Sequence, residues 1–220
     1  MGIEERKQRE RESRRSLILS TAKRLFFRDG FQSVTVEKIA RQSELAKGTI
    51  YLHFQSKEQI YTQLLLEEID AFYQRVVFLE APEASASKRL RQFSRIYLDL
   101  FWHDRELFRI MMNFQLYPDR LTLPEALNAQ LRQSMKKNID LIERIFEQGI
   151  LAGEFAAGAP PFLCRNAYWG LLNGIISHYL FAPPEEKGDE RLRAILDAGL
   201  TVFMNGLHHS EAAPAACVSK

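Results

Sequence analysis

Thr35-Val36-Glu37-Lys38-Ile39-Ala40-Arg41-Gln42-Ser43-Glu44-Leu45-Ala46-Lys47-Gly48-Thr49-Ile50-Tyr51-Leu52-His53-Phe54-Gln55-Ser56-Lys57-Glu58-Gln59 is the stretch on which the reading of the fold turns. Thr35 is a good N-cap for a short helix in which Val36, Ile39 and Ala40 share a face. After Gln42-Ser43-Glu44 a second short helix, about Ala46 to Phe54, carries Ile50 and Phe54 one turn apart, both pointing inward. Ser56-Lys57-Glu58-Gln59 has the form of a capping box, in which Ser56 accepts from the Gln59 N–H and Gln59 reaches back. It opens a long helix through Ile60, Leu64, Leu65, Ile69, Phe72, Tyr73 and Val76. Two short helices, a tight turn between them and a third helix start form one arrangement.

Outward from this stretch every strong period is helical. Upstream, Leu17, Ile18, Ala22, Leu25 and Phe26 recur at three- and four-residue steps and predict a helix from about Ser13 to Arg28. Asp29-Gly30 stops it, Gly30 taking the left-handed conformation, and Phe31 follows as a hydrophobic plug. Ahead of it Glu4 to Arg15 interleaves arginine with glutamate. That arm reads either as a basic arm reaching along a groove or as a solvated helical lead-in. Downstream, Ala81 to Ser87 is a break containing Pro82. Helices follow at about Ser87–His103, Glu106–Gln115, Pro124–Ala152, Pro160–Phe181 and Asp189–His208, with Pro and Gly concentrated in the loops between them. No hairpin signal and no internal repeat is present. The expectation is an all-α chain of about nine helices. Residues 1–60 form a three-helix helix-turn-helix domain, the long helix from about 56 links the halves, and residues 61–220 form a larger helical domain.

Composition agrees. The 220 residues are 46% hydrophobic, enough for one large core or two small ones. Residues 1–60 hold 13 Lys/Arg against 8 Asp/Glu, and the remainder 17 against 20. A net charge of +5 beside one of −3 suggests a basic module that meets a polyanion and a body that does not. Cys164 and Cys217 show no metal-ligand spacing, so no structural metal is expected and a reducing cytoplasm is the natural compartment. No apolar run approaches ~18 residues, so no membrane span is expected. There is no HExxH, GxSxG, phosphate-cradling glycine loop or ExxH pair, and a non-enzyme without cofactor is expected.

The second short helix suits the DNA major groove. Nine residues at ~1.5 Å each span about 13 Å, against a groove ~12 Å wide. Gly48 removes a side chain where DNA would approach, while Thr49 offers a hydroxyl and a methyl. Lys47 and Lys57 bring positive charge beside helix starts, where free N–H groups also favour phosphate. Tyr51 and His53 add donors on the exposed face.

Lys47-Gly48-Thr49-Ile50-Tyr51-Leu52-His53-Phe54 followed by Ser56-Lys57-Glu58, with Thr35-Val36-Glu37-Lys38-Ile39-Ala40 before it, closely resembles the signature of the TetR (tetracycline-repressor-like) family, over roughly Ser16 to Leu66. The resemblance implies that Thr35, Thr49, Tyr51, His53 and Lys57 contact the DNA backbone. It likewise brings Gln42, Lys47, Gly48 and Thr49 to base edges. Ala46 departs from the family's Ser or Thr cap; Ala caps worse by ~1 kcal/mol, and Ser43 or Glu44 is expected to replace it in part.

The resemblance also implies a homodimer, a palindromic duplex operator and a small-molecule effector. On its own terms the body supports the dimer: Gly170 and Gly174 lie one turn apart beside Ile175, and the last helix offers Leu192, Ile195, Leu196, Leu200 and Phe203. Interior glycines cost ~1 kcal/mol each against Ala and make sense where another helix comes close. Tyr97, Phe101, His103, Met111, Met112 and Phe114, facing Phe146, Trp169, Asn173 and His178, are expected to line a pocket for a largely apolar or aromatic molecule. Two readings stand: a repressor released from its operator by such an effector, or a DNA-binding regulator that answers to a protein partner or to nothing.

Overall fold

A computed structural model describes residues 2–103, 123–156, 160–180 and 188–208, together with 105, 108, 109, 111, 112 and 158. Every regular element among the described residues is helical. They hold α1 (Ile3–Asp29), α2 (Val36–Gln42), α3 (Lys47–His53), α4 (Lys57–Val76), a 3-10 turn (Val77–Glu80), α5 (Ala86–His103), α6 (Glu125–Leu151), α7 (Pro161–Ser177) and α8 (Gly188–His208). The expected all-α architecture is what the chain adopts, and no strand occurs among these residues. The expected helix at Glu106–Gln115 lies largely outside them, as do Phe114 and Cys217.

Two compact units result: Met1–Ala71 with Asp104–Ser134, and Phe72–His103 with Met135–Lys220. In the first, Ile18, Ala22, Leu25 and Phe26 of α1 are buried with Val36 and Ile39 of α2, Ile50 of α3, and Ile60 and Leu65 of α4. Helical spacing selects these positions, but Leu17, expected on the same face of α1, is 43% exposed. Gly30 ends α1 with φ +77°, a left-handed value that strains any residue with a Cβ. Phe31 packs edge-on against Tyr61 at 4.9 Å and lies 5.6 Å from Phe26, plugging the turn as its apolar character predicts.

Two boundaries differ from expectation. α1 begins at Ile3, about ten residues before Ser13. The interleaved charges that obscure an apolar period instead make helix-stabilising pairs: Arg14 to Glu10 at 2.6 Å, Gln8 to Glu12 at 2.7 Å and Lys7 to Glu4 at 3.5 Å. α7 stops at Ser177 rather than Phe181, because the N–H groups of Tyr179 and Leu180 bond three residues back, to Ile176 and Ser177, in a tightened last turn.

The second unit is built on aromatic contacts. Phe93 meets Phe72 at 5.5 Å and Tyr168 at 6.2 Å, and Phe146 meets Phe155 at 5.7 Å and Phe203 at 6.2 Å. The phenol of Tyr168 donates to the Leu90 carbonyl at 2.7 Å and lies 2.6 Å from Ser94 Oγ. Buried hydroxyls need such partners, since one left unpaired costs on the order of 1–3 kcal/mol.

Candidate nucleic-acid interface

α3 is seven residues long, about 10 Å at ~1.5 Å per residue, and too short to be stable alone. Two side chains hold it. Ile50 is fully buried and Phe54, its C-cap, nearly so. Each burial contributes roughly 1.5–3 kcal/mol. The outer face of this helix is open: Lys47 and Gly48 are exposed, Tyr51 is 47% exposed and Leu52 78%. Leu52 is absent from the sequence-based site. Its signal is its spacing, four residues after Gly48 and hence on the same outer face.

Gly48 has open space where a Cβ would project, and its φ lies outside the left-handed range. Nothing among the described residues requires glycine here.

α2 supports α3 from behind. Thr35 is the α2 N-cap and accepts from the Lys38 N–H at 3.2 Å, as its position predicts. Gln42 is exposed at the end of α2. The turn between the helices passes through Glu44 at φ +55°. Ser43 does not cap α3: its hydroxyl turns back and donates to the Ile39 and Ala40 carbonyls at 2.8 and 3.2 Å. Ala46 therefore stands as an N-cap without a side-chain bond.

The cations near α3 are engaged. Lys47 pairs with Glu37 of α2, both half-exposed, and its ammonium lies 5.8 Å from the Tyr51 ring centroid. This pair raises the Lys47 pKa and lowers that of Glu37. Lys57 reaches further back: its Nζ donates to the carbonyls of Phe31 at 2.9 Å, Val34 at 3.1 Å and Gln32 at 3.4 Å, and lies 4.4 Å from the Phe31 ring centroid. An ammonium has three donors, and three carbonyls take them. The Lys57 side chain ties the start of α4 to the turn ahead of α2.

His53 closes α3. Partial burial, then the nearby Arg11, Arg14 and Arg15, hold its imidazole below its usual pKa. Arg15 itself lies 5.5 Å from the Phe54 ring centroid and bonds Glu67 at 2.7 Å.

In the second unit the candidate effector residues divide. Tyr97 donates to Asn173 Oδ1 at 2.8 Å, Asn173 Nδ2 donates to the Trp169 carbonyl at 2.9 Å, and the Tyr97 and Trp169 rings lie 5.0 Å apart. Burial pushes the Tyr97 pKa far upward. Phe101 and Phe146 are fully buried, while His103 and His178 are exposed. Met111 and Met112 fall in the first unit. Trp169 Nε1 and Asn138 Oδ1 are buried with no hydrogen-bond partner among the described residues.

The candidate dimer residues divide similarly. Leu192, Leu196 and Leu200 are buried within the protomer, filling its own core, and Phe203 packs on Phe146 and Tyr168. Gly170 and Gly174 face outward with open space at the Cβ position, Ile175 is half-buried, and Ile195 is 40% exposed. Val202, 75% exposed, continues the outer row of α8 and is not among the residues that the sequence singles out.

Residues 18–64 match the bacterial regulatory proteins of the tetR family. The fatty acid metabolism regulator protein of Bacillus subtilis is 26% identical over 192 residues, 87% of this chain and 94% of that protein. The crystal structure of the transcriptional regulator FadR from Bacillus subtilis in complex with stearoyl-CoA has a TM-score of 0.70 at 24% identity, covering 88% of this chain and 99% of that one. AibR in complex with isovaleryl coenzyme A and operator DNA has a TM-score of 0.69 at 24% identity, covering 86% and 97%.

Proposed function

We propose, from the premise that this chain is a TetR-family transcriptional regulator that binds DNA, that it is a homodimeric repressor released from a palindromic operator by a small, largely apolar effector. The observation that carries the DNA-reading part is α3: anchored by Ile50 and Phe54, it presents Lys47, Gly48, Tyr51 and Leu52 outward. The open space at Gly48 has no use among the described residues, and close approach of a DNA edge supplies one. Thr35, Gln42, Lys47, Gly48, Thr49, Tyr51 and His53 are the proposed contacts, joined by Leu52, whose apolar tip suits a thymine methyl. Lys57, its donors taken by carbonyls, acts by positioning the turn.

Two reading heads on one duplex require two-fold symmetry. The outward Gly170 and Gly174 of α7, with Ile195 and Val202 of α8, are the faces proposed to meet a second copy. For the effector, the unpaired Trp169 Nε1 and Asn138 Oδ1 within an aromatic body support a ligand that brings its own polar atoms. Since FadR and AibR are described with acyl-coenzyme A esters, whose apolar acyl chain is joined to a polar, anionic coenzyme A, this class is the first to test, with the free fatty acids beside it as the small, largely apolar members. Such a ligand relieves repression only by binding more tightly to the state that has left DNA.

The experiment is fluorescence anisotropy with the duplex upstream of the chain's own coding region, titrated with acyl-coenzyme A esters and free fatty acids of increasing length at fixed salt. Binding at two subunits per site, weakened by at least one chain length, is expected. Affinity indifferent to every ester and fatty acid would remove the effector class while leaving the regulator. Chains that remain monomeric on DNA would remove the dimer.

A further inference from the structure

The first fourteen residues of α1 are helical yet bury nothing: from Ile3 to Ser16 every residue is exposed except the half-buried Arg15. A free helix of this length is marginal in water. This one is held by its continuation into the buried stretch from Ile18 and by pairs between its own side chains, Arg14 with Glu10, Gln8 with Glu12 and Lys7 with Glu4. The protomer gains no core from it, so its use lies with a partner.

The direction of its charges says which. At 100° per residue, Lys7, Arg11, Arg14 and Arg15 lie on the same side of α1 as Ile18, Ala22 and Leu25, which face the domain core. Glu5, Glu10 and Glu12 fall on the flanks or behind, leaving Glu4 as the one acid on that side. The basic row thus extends the side on which α3 lies. Its inner end is fixed there: Arg15 lies 5.5 Å from the ring centroid of Phe54, the C-cap of α3. The charge of Arg11 and Arg14 is felt at His53, the last residue of α3, where partial burial and these arginines disfavour the imidazolium. From Arg15 to Ile3 the helix runs about 18 Å at ~1.5 Å per residue, enough to cross a groove and reach the phosphates beyond it.

We infer that the exposed amino-terminal turns of α1 are a second DNA-contacting element, a rigid basic arm whose Lys7, Arg11 and Arg14 bind backbone phosphates flanking the site read by α3. The inference rests on the proposal that α3 reads duplex DNA. The arm contributes affinity and little sequence preference, because phosphates are alike at every base pair.

The test compares the full chain with its K7Q/R11Q/R14Q variant and with a chain lacking residues 2–12. Each is titrated from about 50 to 200 mM salt against a random-sequence duplex and the upstream duplex. Each phosphate that is no longer neutralised lowers the log–log salt slope by ~0.9, so both variants should show slopes shallower by about two to three per subunit. Binding at low salt should weaken about tenfold or more on both duplexes alike, leaving the preference between them intact. Gln42→Ala, by contrast, should lower the preference and keep the slope, an uncharged side chain at base edges releasing no counterion. Melting temperatures of the arm variants should stay within about 2 °C, the three side chains being exposed. Unchanged slope and affinity would overturn the arm's role, and so would weaker binding accompanied by a fall in melting temperature or in dimer content. If the full chain itself ignores both duplexes at low salt, it is the DNA-reading proposal that fails.

Discussion

Replacing Lys57 by Met keeps the aliphatic stem and removes the ammonium that holds the carbonyls of Phe31, Gln32 and Val34. Hydrogen bonds to a charged group are worth about 1.5–3 kcal/mol each. The bond to Gln32 is long and exposed and is readily replaced by water, so it adds little. Those to Phe31 and Val34 are partly buried, and water recovers part of each. With the cation over the Phe31 ring adding about 0.5–1 kcal/mol, the destabilisation comes to about 2–4 kcal/mol. At ~2–4 °C per kcal/mol for a chain of this size, its unfolding transition should fall by roughly 5–15 °C. DNA affinity should weaken as well, because the turn that places α2 and α3 is loosened. Its salt slope should not change, since an ammonium whose three donors are occupied releases no counterion on binding. Differential scanning calorimetry and anisotropy at a series of salt concentrations read both quantities from one preparation. A melting temperature unmoved within about 1 °C, together with a slope lower by ~0.9 per subunit, would refute the reasoning and make Lys57 a phosphate contact.

Three further outcomes are expected. Glu37→Gln frees Lys47 from its intramolecular carboxylate partner and removes a negative charge from the reading face, so DNA affinity should rise several-fold at low salt; a fall in anisotropy-measured affinity would contradict this. Gly48→Ala should raise the melting temperature slightly, since Ala is favoured over Gly in a helix by ~1 kcal/mol and its Cβ meets no described atom, while abolishing specific DNA binding through its collision with the duplex; anisotropy on the upstream duplex checks the second half. His53 sits below its unfolded pKa through burial and its arginine neighbours. The unfolded chain therefore takes up more protons as pH falls below about 6.5. Stability present above that value should decline as pH drops through the folded pKa, and calorimetry of His53→Gln should show that part of the pH dependence removed.

The helix-turn-helix is legible because its cues are local. Thr35 caps where its position predicts, Ile50 and Phe54 bury where their one-turn spacing points, and Gly30 ends α1 with a positive φ. The start of α1 is hidden from apolar periodicity because residues 3–15 form a helix through polar and charged pairs, which carry no such period. Ser43 defeats the expectation of a cap because a serine between two helices can turn to either, and the Ile39 and Ala40 carbonyls lie within its reach. Leu52 carries no mark in the sequence because an exposed leucine is ordinary in any chain; its place beside Gly48 on an outer face is what makes it notable.

What can be read along the chain here is whatever depends on neighbours within a turn or two: helix type, caps, stops and which face is apolar. From these come the all-helical fold, the helix-turn-helix and the resemblance it carries. What needs three dimensions is the allocation of side chains whose partners are distant in sequence. Lys57 meets carbonyls more than twenty residues away, Lys47 is claimed by Glu37, and Leu192, Leu196 and Leu200 serve the protomer's own core while Gly170, Gly174 and Val202 stay outside. A long flexible cation or an apolar stripe fits several destinations equally well, and only the packing of the remaining helices selects one.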